Sequence, residues 1–128
     1  MSENKLFDPR LCDGMTLAYL GDSVMELYVR ENLVKSGITR AGELNSRAHE
    51  IVRATSQARA FHKIEGMLTD EEMDYFKRGR NSGHLSAPRS ATISEYRTAT
   101  GFEAVLGYLH LTGNKERISE LLFAAYEI

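Results

Sequence analysis

The chain of 128 residues carries 16 Lys and Arg against 18 Asp and Glu, a net charge of −2, and 42% of its residues are hydrophobic. These values predict one globular domain and exclude a strongly basic nucleic-acid-binding protein. No apolar stretch is long enough for a membrane span or a signal peptide. Cys12 is the only cysteine, so no intrachain disulfide can form, and we expect a cytoplasmic protein.

The first strongly patterned segment is a helix that we predict over residues 14–36. Before it, residues 1–13 form a polar arm in which Pro9 prevents an early helix, and after it Gly37 is the expected terminator. Read at 100° per residue, its apolar side chains cover two faces and leave only a narrow polar edge. A helix of this kind belongs inside a fold, so we expect the rest of the chain to pack around it.

Two carboxylates interrupt that helix. Asp22 and Glu26 are one turn apart and fall within the second apolar face, and Gly21 precedes the first of them. A buried carboxylate must be paired, protonated or bound to a cation. Glycine costs ~1 kcal/mol in a helix interior relative to alanine, which indicates that a backbone or a ligand comes close. Two interpretations remain open: a core helix with a salt-bridged acid, or a functional site.

The middle of the chain predicts two further helical stretches and a basic loop. Residues 39–65 form the first stretch, with a break near Ala54 and Thr55, and a capping box at residues 69–72 opens the second. That second helix ends in basic residues, and the Ser- and Gly-rich loop 81–90 follows it. Between residues 77 and 97 there are five Lys and Arg residues, and Glu95 is the only acid. They are either solvated charges that suit a helix C-terminus or contacts for phosphate groups.

The last third of the chain predicts a second apolar helix, whose segment 100–109 contains Glu103 as its one acid. A capping box at residues 92–95 opens this helix, Gly113 ends it, and Asn114 caps a final amphipathic helix. Around Glu103, the neighbours one turn away are small. Two buried helices with one isolated acid each suggest a shared site of oxygen ligands, which suits Mg²⁺ or Mn²⁺. With five or six helices and no convincing strand, the predicted fold class is all-α.

Several motifs, in this order, resemble one known family. The segment LGDSV at 20–24 resembles the signature helix of the ribonuclease III catalytic domain, and FEAVLG at 102–107 resembles its second acidic motif. KRGRN at 77–81 and YR at 96–97 resemble the short bacterial branch of that family, Mini-ribonuclease III. The larger enzymes have further acids where this chain has Ala18 and Thr100, and the short branch is similar to this chain in lacking both.

The resemblance implies a fold and a set of site residues. The expected fold is an all-α homodimer of the ribonuclease III catalytic-domain type, with one domain over residues 1–128. Because the chain ends at Ile128, we expect no double-stranded RNA-binding domain. Asp22 and Glu103 are the expected catalytic residues and metal ligands. The expected RNA-binding residues are Lys77, Arg78, Arg80, Asn81, Arg89 and Arg97.

The implied function is a Mg²⁺-dependent endoribonuclease, with Mn²⁺ as a substitute, that cleaves double-stranded RNA and leaves 5′-phosphate and 3′-hydroxyl ends. The implied substrate is a stem in the precursor of the large-subunit (23S) ribosomal RNA, with a ribosomal protein as a candidate helper. Two alternatives remain open. One is a non-catalytic RNA-binding or ribosome-assembly dimer, and the other is a structural helical dimer whose buried acids pair with arginines.

Overall fold

The computed structural model describes residues 7–82 and 91–127, and all regular elements within these ranges are helical. The predicted all-α class is therefore confirmed. Two short 3-10 turns, Pro9–Leu11 and Glu65–Met67, accompany the longer helices. Those are α1 (Gly14–Lys35), α2 (Ala41–Val52), α3 (Ala54–Ile64), α4 (Asp70–Arg80), α5 (Ile93–Leu111) and α6 (Lys115–Tyr126).

The helices begin and end largely where local sequence signals predict. Thr69 and Thr92 each form a complete capping box with the glutamate three residues later, and these open α4 and α5. Gly37 adopts a φ of 97° just after α1, a left-handed conformation that glycine tolerates. The break in the 39–65 stretch was predicted slightly too late, because the chain leaves helical geometry at Arg53, whose ψ is 154°. Pro9 begins a 3-10 turn rather than preventing one.

The centre of the fold is the antiparallel contact between α1 and α5, which glycines on both helices allow. A Cβ atom on Gly21 would overlap the backbone carbonyl of Glu103, and one on Gly107 would overlap the carbonyl of Leu17. The two backbones are therefore in direct contact at two points one turn apart. The glycine at position 21 therefore has a structural reason despite its cost in a helix. It lets α1 approach α5 closely enough to bring Asp22 beside Glu103.

An aromatic core joins the remaining helices to this pair. The ring of Phe61 on α3 stacks on Phe76 of α4 at 4.1 Å between centroids and lies 5.6 Å from Phe102 of α5. The inner side of α6 is apolar and buried, as the sequence predicts, through Ile118, Leu121, Leu122 and Ala125. Within the described residues, no helix combines the length and the apolar content that a membrane crossing needs.

A buried ion pair fastens α6 to the start of α4. Arg117 donates to both carboxylate oxygens of Glu72, each at 2.8 Å, and to the carbonyl of Met67 at 2.7 Å. Glu72 is only 4% exposed. Burial alone would raise the pKa of Glu72, but the Arg117 guanidinium and the Thr69 backbone N–H hold it below its ordinary value of 4.5. The stability that this pair contributes is therefore lost only as the pH falls through that lowered pKa.

Candidate active site

An open cleft of about 410 Å³ lies between α1 and α5, and both predicted catalytic acids line it. The two acids come from helices that are far apart in sequence, and the glycine contacts between α1 and α5 bring them together. The lining residues are Met15, Ala18, Tyr19, Asp22, Ser23, Tyr96, Thr100 and Glu103.

The two acids of α1 have different surroundings. Asp22 is exposed to solvent, whereas the sequence pattern placed it in an apolar face. The reason is that α5 covers Gly21, and the next side chain along the helix projects past α5 into the cleft. Glu26 accepts a hydrogen bond from Arg30 at 2.9 Å and is absent from the cleft lining. Glu26 thus forms the salt bridge that the first interpretation offered for an acid on this helix.

Glu103 is held in a setting that favours its protonated form. Its Oε2 accepts a hydrogen bond from Gln57 Nε2 at 3.2 Å, and its carboxyl group also makes a hydrogen bond with Asp22. Burial and the hydrogen bond with Asp22 raise the pKa of Glu103 from 4.5 to about 8, and the Gln57 amide opposes this. At neutral pH and without a cation, Glu103 therefore keeps its proton.

The donor set fits a small divalent cation. Within residues 7–82 and 91–127, no cluster of three or more His, Cys, Asp or Glu side chains could form a closed metal cage. Mg²⁺ does not require one, because it commonly keeps several waters and binds one or two carboxylates plus substrate phosphates. A cation between Asp22 and Glu103 would replace the proton of Glu103 and remove the repulsion between two carboxylates. Asp22 and Glu103 can therefore hold Mg²⁺ in an open site.

Ala18 and Thr100, where the larger ribonuclease III enzymes have further acids, both line this cleft. The hydroxyl of Thr100 donates to the carbonyl of Tyr96 at 3.0 Å, so its hydrogen is already used within α5. Both departures from the larger enzymes thus lie in the same cleft as Asp22 and Glu103. They reduce its negative charge and leave room for water or phosphate oxygens.

The raised pKa of Glu103 leads to a prediction about pH. The folded chain keeps a proton that the unfolded chain releases, so the thermal stability of the metal-free protein should fall as the pH rises from about 5 to about 8. We expect Mg²⁺ to restore stability at the upper end, because it replaces the proton. Melting temperatures measured across pH in EDTA and in Mg²⁺ check this. The Glu103→Gln variant should lack this pH dependence. An equal slope of melting temperature against pH in the variant would contradict the assignment of the raised pKa to Glu103.

Four of the predicted RNA-binding residues lie at the end of α4, namely Lys77, Arg78, Arg80 and Asn81, and Arg97 lies in the first turns of α5. A Cβ atom on Gly79 would lie 2.9 Å from the carbonyl oxygen of Thr100, so this end of α4 abuts the cleft wall one turn before Glu103. Lys77, Arg78 and Asn81 are exposed there, and Arg80 and Arg97 are partly buried. Arg89 falls within residues 83–90 and thus outside the described residues.

Among these residues, Arg78 has a second role. Its Nη1 donates to the carbonyl oxygens of Arg10 at 2.7 Å and Cys12 at 3.1 Å, and its guanidinium lies over the ring of Tyr75. Arg78 therefore ties the N-terminal arm to α4. Sequence reasoning did not find this role, because arm and helix are more than sixty residues apart along the chain.

Sequence reasoning also missed Gln57. It lies 46 positions before Glu103 and belongs to no motif, so only the folded chain shows their contact. One signal was present: Gln57 stands four and seven residues before Phe61 and Ile64, on the apolar side of α3. A polar residue in such a position is a candidate for a buried contact.

Comparisons with known proteins identify the family and the fold. The family described as "Ribonuclease III domain" matches residues 15–114. The chain belongs to the ribonuclease III family. It is 46% identical to a protein of Symbiobacterium thermophilum over 94% of this chain and 93% of that protein, and 40% identical to one of Streptococcus pneumoniae over 91% and 93%. Both relatives are named Mini-ribonuclease 3.

A solved structure supports the fold independently. The crystal structure of a protein from Fusobacterium nucleatum is similar with a TM-score of 0.82 and 31% identity, covering 91% of this chain and 94% of that one. The resemblance found in the sequence motifs is thus confirmed for family and fold. As a member of this family, the chain is an endoribonuclease.

Proposed function

We propose that this ribonuclease is a Mg²⁺-dependent endonuclease of double-stranded RNA, with Asp22 and Glu103 as its catalytic residues. The observation that carries the proposal is the pairing of these two acids in an open cleft beside the basic end of α4. Acids hold the cation, and bases contact the phosphates on either side of the scissile bond. Mn²⁺, which accepts the same oxygen ligands, is the expected substitute.

Each residue of the cleft has a definite task in this proposal. Asp22 and Glu103 hold the cation and orient the scissile phosphate beside it. Bound Mg²⁺ supplies activation of the attacking water and neutralises charge on the leaving 3′ oxygen. Lys77, Arg80, Asn81 and Arg97, with Arg78 and Arg89, form the proposed binding surface for the RNA backbone. Attack on phosphorus with departure of the 3′ oxygen leaves a 5′-phosphate and a 3′-hydroxyl.

The substrate proposal is a stem in the precursor of 23S ribosomal RNA, with a ribosomal protein as a helper. It is supported by membership in the family and by relatives named Mini-ribonuclease 3. Such a substrate and the single cysteine are consistent with a cytoplasmic protein.

We also propose that the active form is a homodimer. Met15 and Tyr19 are one turn apart on α1 and form an exposed apolar stripe, since Met15 is 39% and Tyr19 is 83% exposed. Met15 and Tyr19 line the cleft, so a second copy bound to this apolar stripe would lie next to the acids. One cleft cuts one strand, and a two-fold pair of clefts can cut both strands of a duplex.

The dimer gives a direct prediction for Tyr19. A Tyr19→Arg change places a charge on the stripe, and we expect the protein to become monomeric while its helical content is unchanged. Sedimentation velocity measures this. Phe123→Arg is the control, because Phe123 is 62% exposed on α6 outside the cleft. A monomeric wild type, or a Tyr19→Arg variant that still dimerises, would contradict the dimer.

The rival function is a non-catalytic RNA-binding dimer. The absence of acids at Ala18 and Thr100 favours it. Labelled duplex RNA and its separate strands, incubated with and without Mg²⁺, distinguish the two. Our proposal requires cleavage of the duplex only when Mg²⁺ is present. Retardation of the duplex in a gel without any cleavage would support the rival, and neither effect would support the structural dimer.

The basic end of α4 gives a prediction about substrate capture. Replacing Lys77 and Arg80 by alanine should raise KM several-fold and change kcat little, because phosphate contacts act in the ground and transition states alike. The slope of log KM against log salt should fall by about one for each phosphate interaction that the substitutions remove. Lys35→Ala, which removes a charge from the far end of α1, is the control. An unchanged KM and salt slope in the double variant would place the RNA elsewhere.

A further inference from the structure

Gln57 is a buried polar residue behind the acid cleft. It is 3% exposed, and its Nε2 donates to the carbonyl oxygen of Val52 at 2.7 Å and to Glu103 Oε2 at 3.2 Å. Both partners are acceptors, so only the –NH₂ group of the amide can satisfy them, which fixes the amide orientation. Gln57 therefore links Glu103 to the end of α2.

The break between α2 and α3 makes this link rigid. Because α2 ends at Val52 and Arg53 is extended, the Val52 carbonyl is available to accept from the Gln57 side chain. The backbone N–H of Gln57 donates to the carbonyl of Arg53, which anchors the same residue in the first turn of α3. Glu103 lines the cleft and Gln57 does not, so the amide holds the carboxylate from its inner side.

The other half of the amide shows what this arrangement costs. Gln57 Oε1 is buried and, among the described residues, has no hydrogen-bond partner. Leaving such an acceptor unsatisfied costs ~1–3 kcal/mol. A methionine would fill a similar space without that cost, but it would leave the Val52 carbonyl without its donor. Outside the junction of α2 and α3, the residue that the Gln57 amide contacts is Glu103.

We propose that Gln57 is a positioning residue for the metal site: its amide fixes the carboxylate of Glu103 in the orientation in which Glu103 and Asp22 can bind one cation. The inference rests on the proposed function, since it assumes that these acids bind the metal. Partners of ligating carboxylates commonly set metal affinity, and their loss weakens it by about 10- to 100-fold.

The test is Gln57→Met, read out by Mn²⁺ binding to the free protein in electron paramagnetic resonance. We expect the Mn²⁺ affinity to fall by about 10- to 100-fold while the melting temperature changes little, because removal of the unsatisfied Oε1 offsets loss of the donor to the Val52 carbonyl. In cleavage assays, kcat at low metal concentration should fall and recover at saturating metal, with KM for the duplex unchanged. A purely structural residue would give the reverse pattern, with lower stability and unchanged affinity.

Three further variants make the outcome decisive. Ser56→Ala removes a neighbouring hydrogen bond of α3, the one to Glu50, and should bind Mn²⁺ like wild type. Gln57→Leu removes the amide without adding a charge beside the cation, so it should show the same loss as Gln57→Met. If Glu103→Gln loses Mn²⁺ while both Gln57 variants bind it normally, the inference about Gln57 is overturned and the proposed function stands. If Glu103→Gln binds Mn²⁺ normally, the metal site is wrong and both fail.

Discussion

Replacing Asp22 with asparagine is expected to reduce cleavage of duplex RNA by about three orders of magnitude while the protein stays folded. The change keeps the shape of the side chain but removes the charge that attracts the cation. Asp22 is exposed, so the core packing is unchanged. The asparagine oxygen can still accept a hydrogen bond from protonated Glu103, so the variant should be about as stable as wild type. Single-turnover cleavage and thermal unfolding measure the two effects.

Glu26→Gln is the matched control for this prediction. Glu26 is one turn from Asp22 on α1, but it pairs with Arg30 on the helix surface and does not line the cleft. Such an exposed pair contributes about 0.3–0.5 kcal/mol, so we expect a small loss of stability and cleavage close to wild type. An Asp22→Asn variant with a near wild-type rate, or a Glu26→Gln variant with normal stability and no cleavage, would reverse the roles of the two acids.

The second large effect is expected from Gly21→Ala. The added methyl group would overlap the backbone carbonyl of Glu103, and a backbone on the facing helix can only yield if α1 and α5 move apart. We expect a loss of about 3 kcal/mol and a melting temperature lower by about 10 °C. Cleavage should fall as well, because the movement separates Asp22 from Glu103. Denaturant unfolding and cleavage rates at low temperature measure both consequences.

Gly42→Ala is the control for that change. Gly42 lies in the first turn of α2, and no heavy atom would lie within 4 Å of its added Cβ. The same substitution should therefore stabilise the protein there by about 0.5–1 kcal/mol, since alanine loses less chain entropy. If Gly21→Ala were as harmless as Gly42→Ala, the contact between α1 and α5 would not set the geometry of the site.

The elements that the sequence predicts well are those with local causes. Thr69 and Thr92 cap their helices with hydrogen bonds to residues three positions away, so the start of α4 and of α5 can be read from the sequence. The same holds for Gly37, which ends α1. Arg53 breaks the middle stretch without any glycine or proline. The side chains of Ser56 and Gln57 donate to carbonyls at the end of α2, and neither residue stands in a recognised capping motif.

In the candidate site, too, local sequence signals reveal some residues, and contacts between distant parts of the chain determine the others. Asp22 and Glu103 stand out because each is an acid in an otherwise apolar helix, and the close contact at Gly21 could be inferred from its cost. Whether Asp22 is covered depends on how far α5 extends over α1, which periodicity does not specify. The contacts of Gln57 with Glu103 and of Arg78 with the N-terminal arm join distant parts of the chain, so they become visible only in the folded structure.

The most direct test of the central claim is anomalous diffraction from crystals of the protein soaked in Mn²⁺. We predict a Mn²⁺ peak in the cleft at about 2.0–2.2 Å from carboxylate oxygens of both Asp22 and Glu103, with no peak in Asp22→Asn crystals. A peak bound by other residues, or an unchanged peak in the Asp22→Asn crystals, would contradict the assignment of these two acids as the metal site.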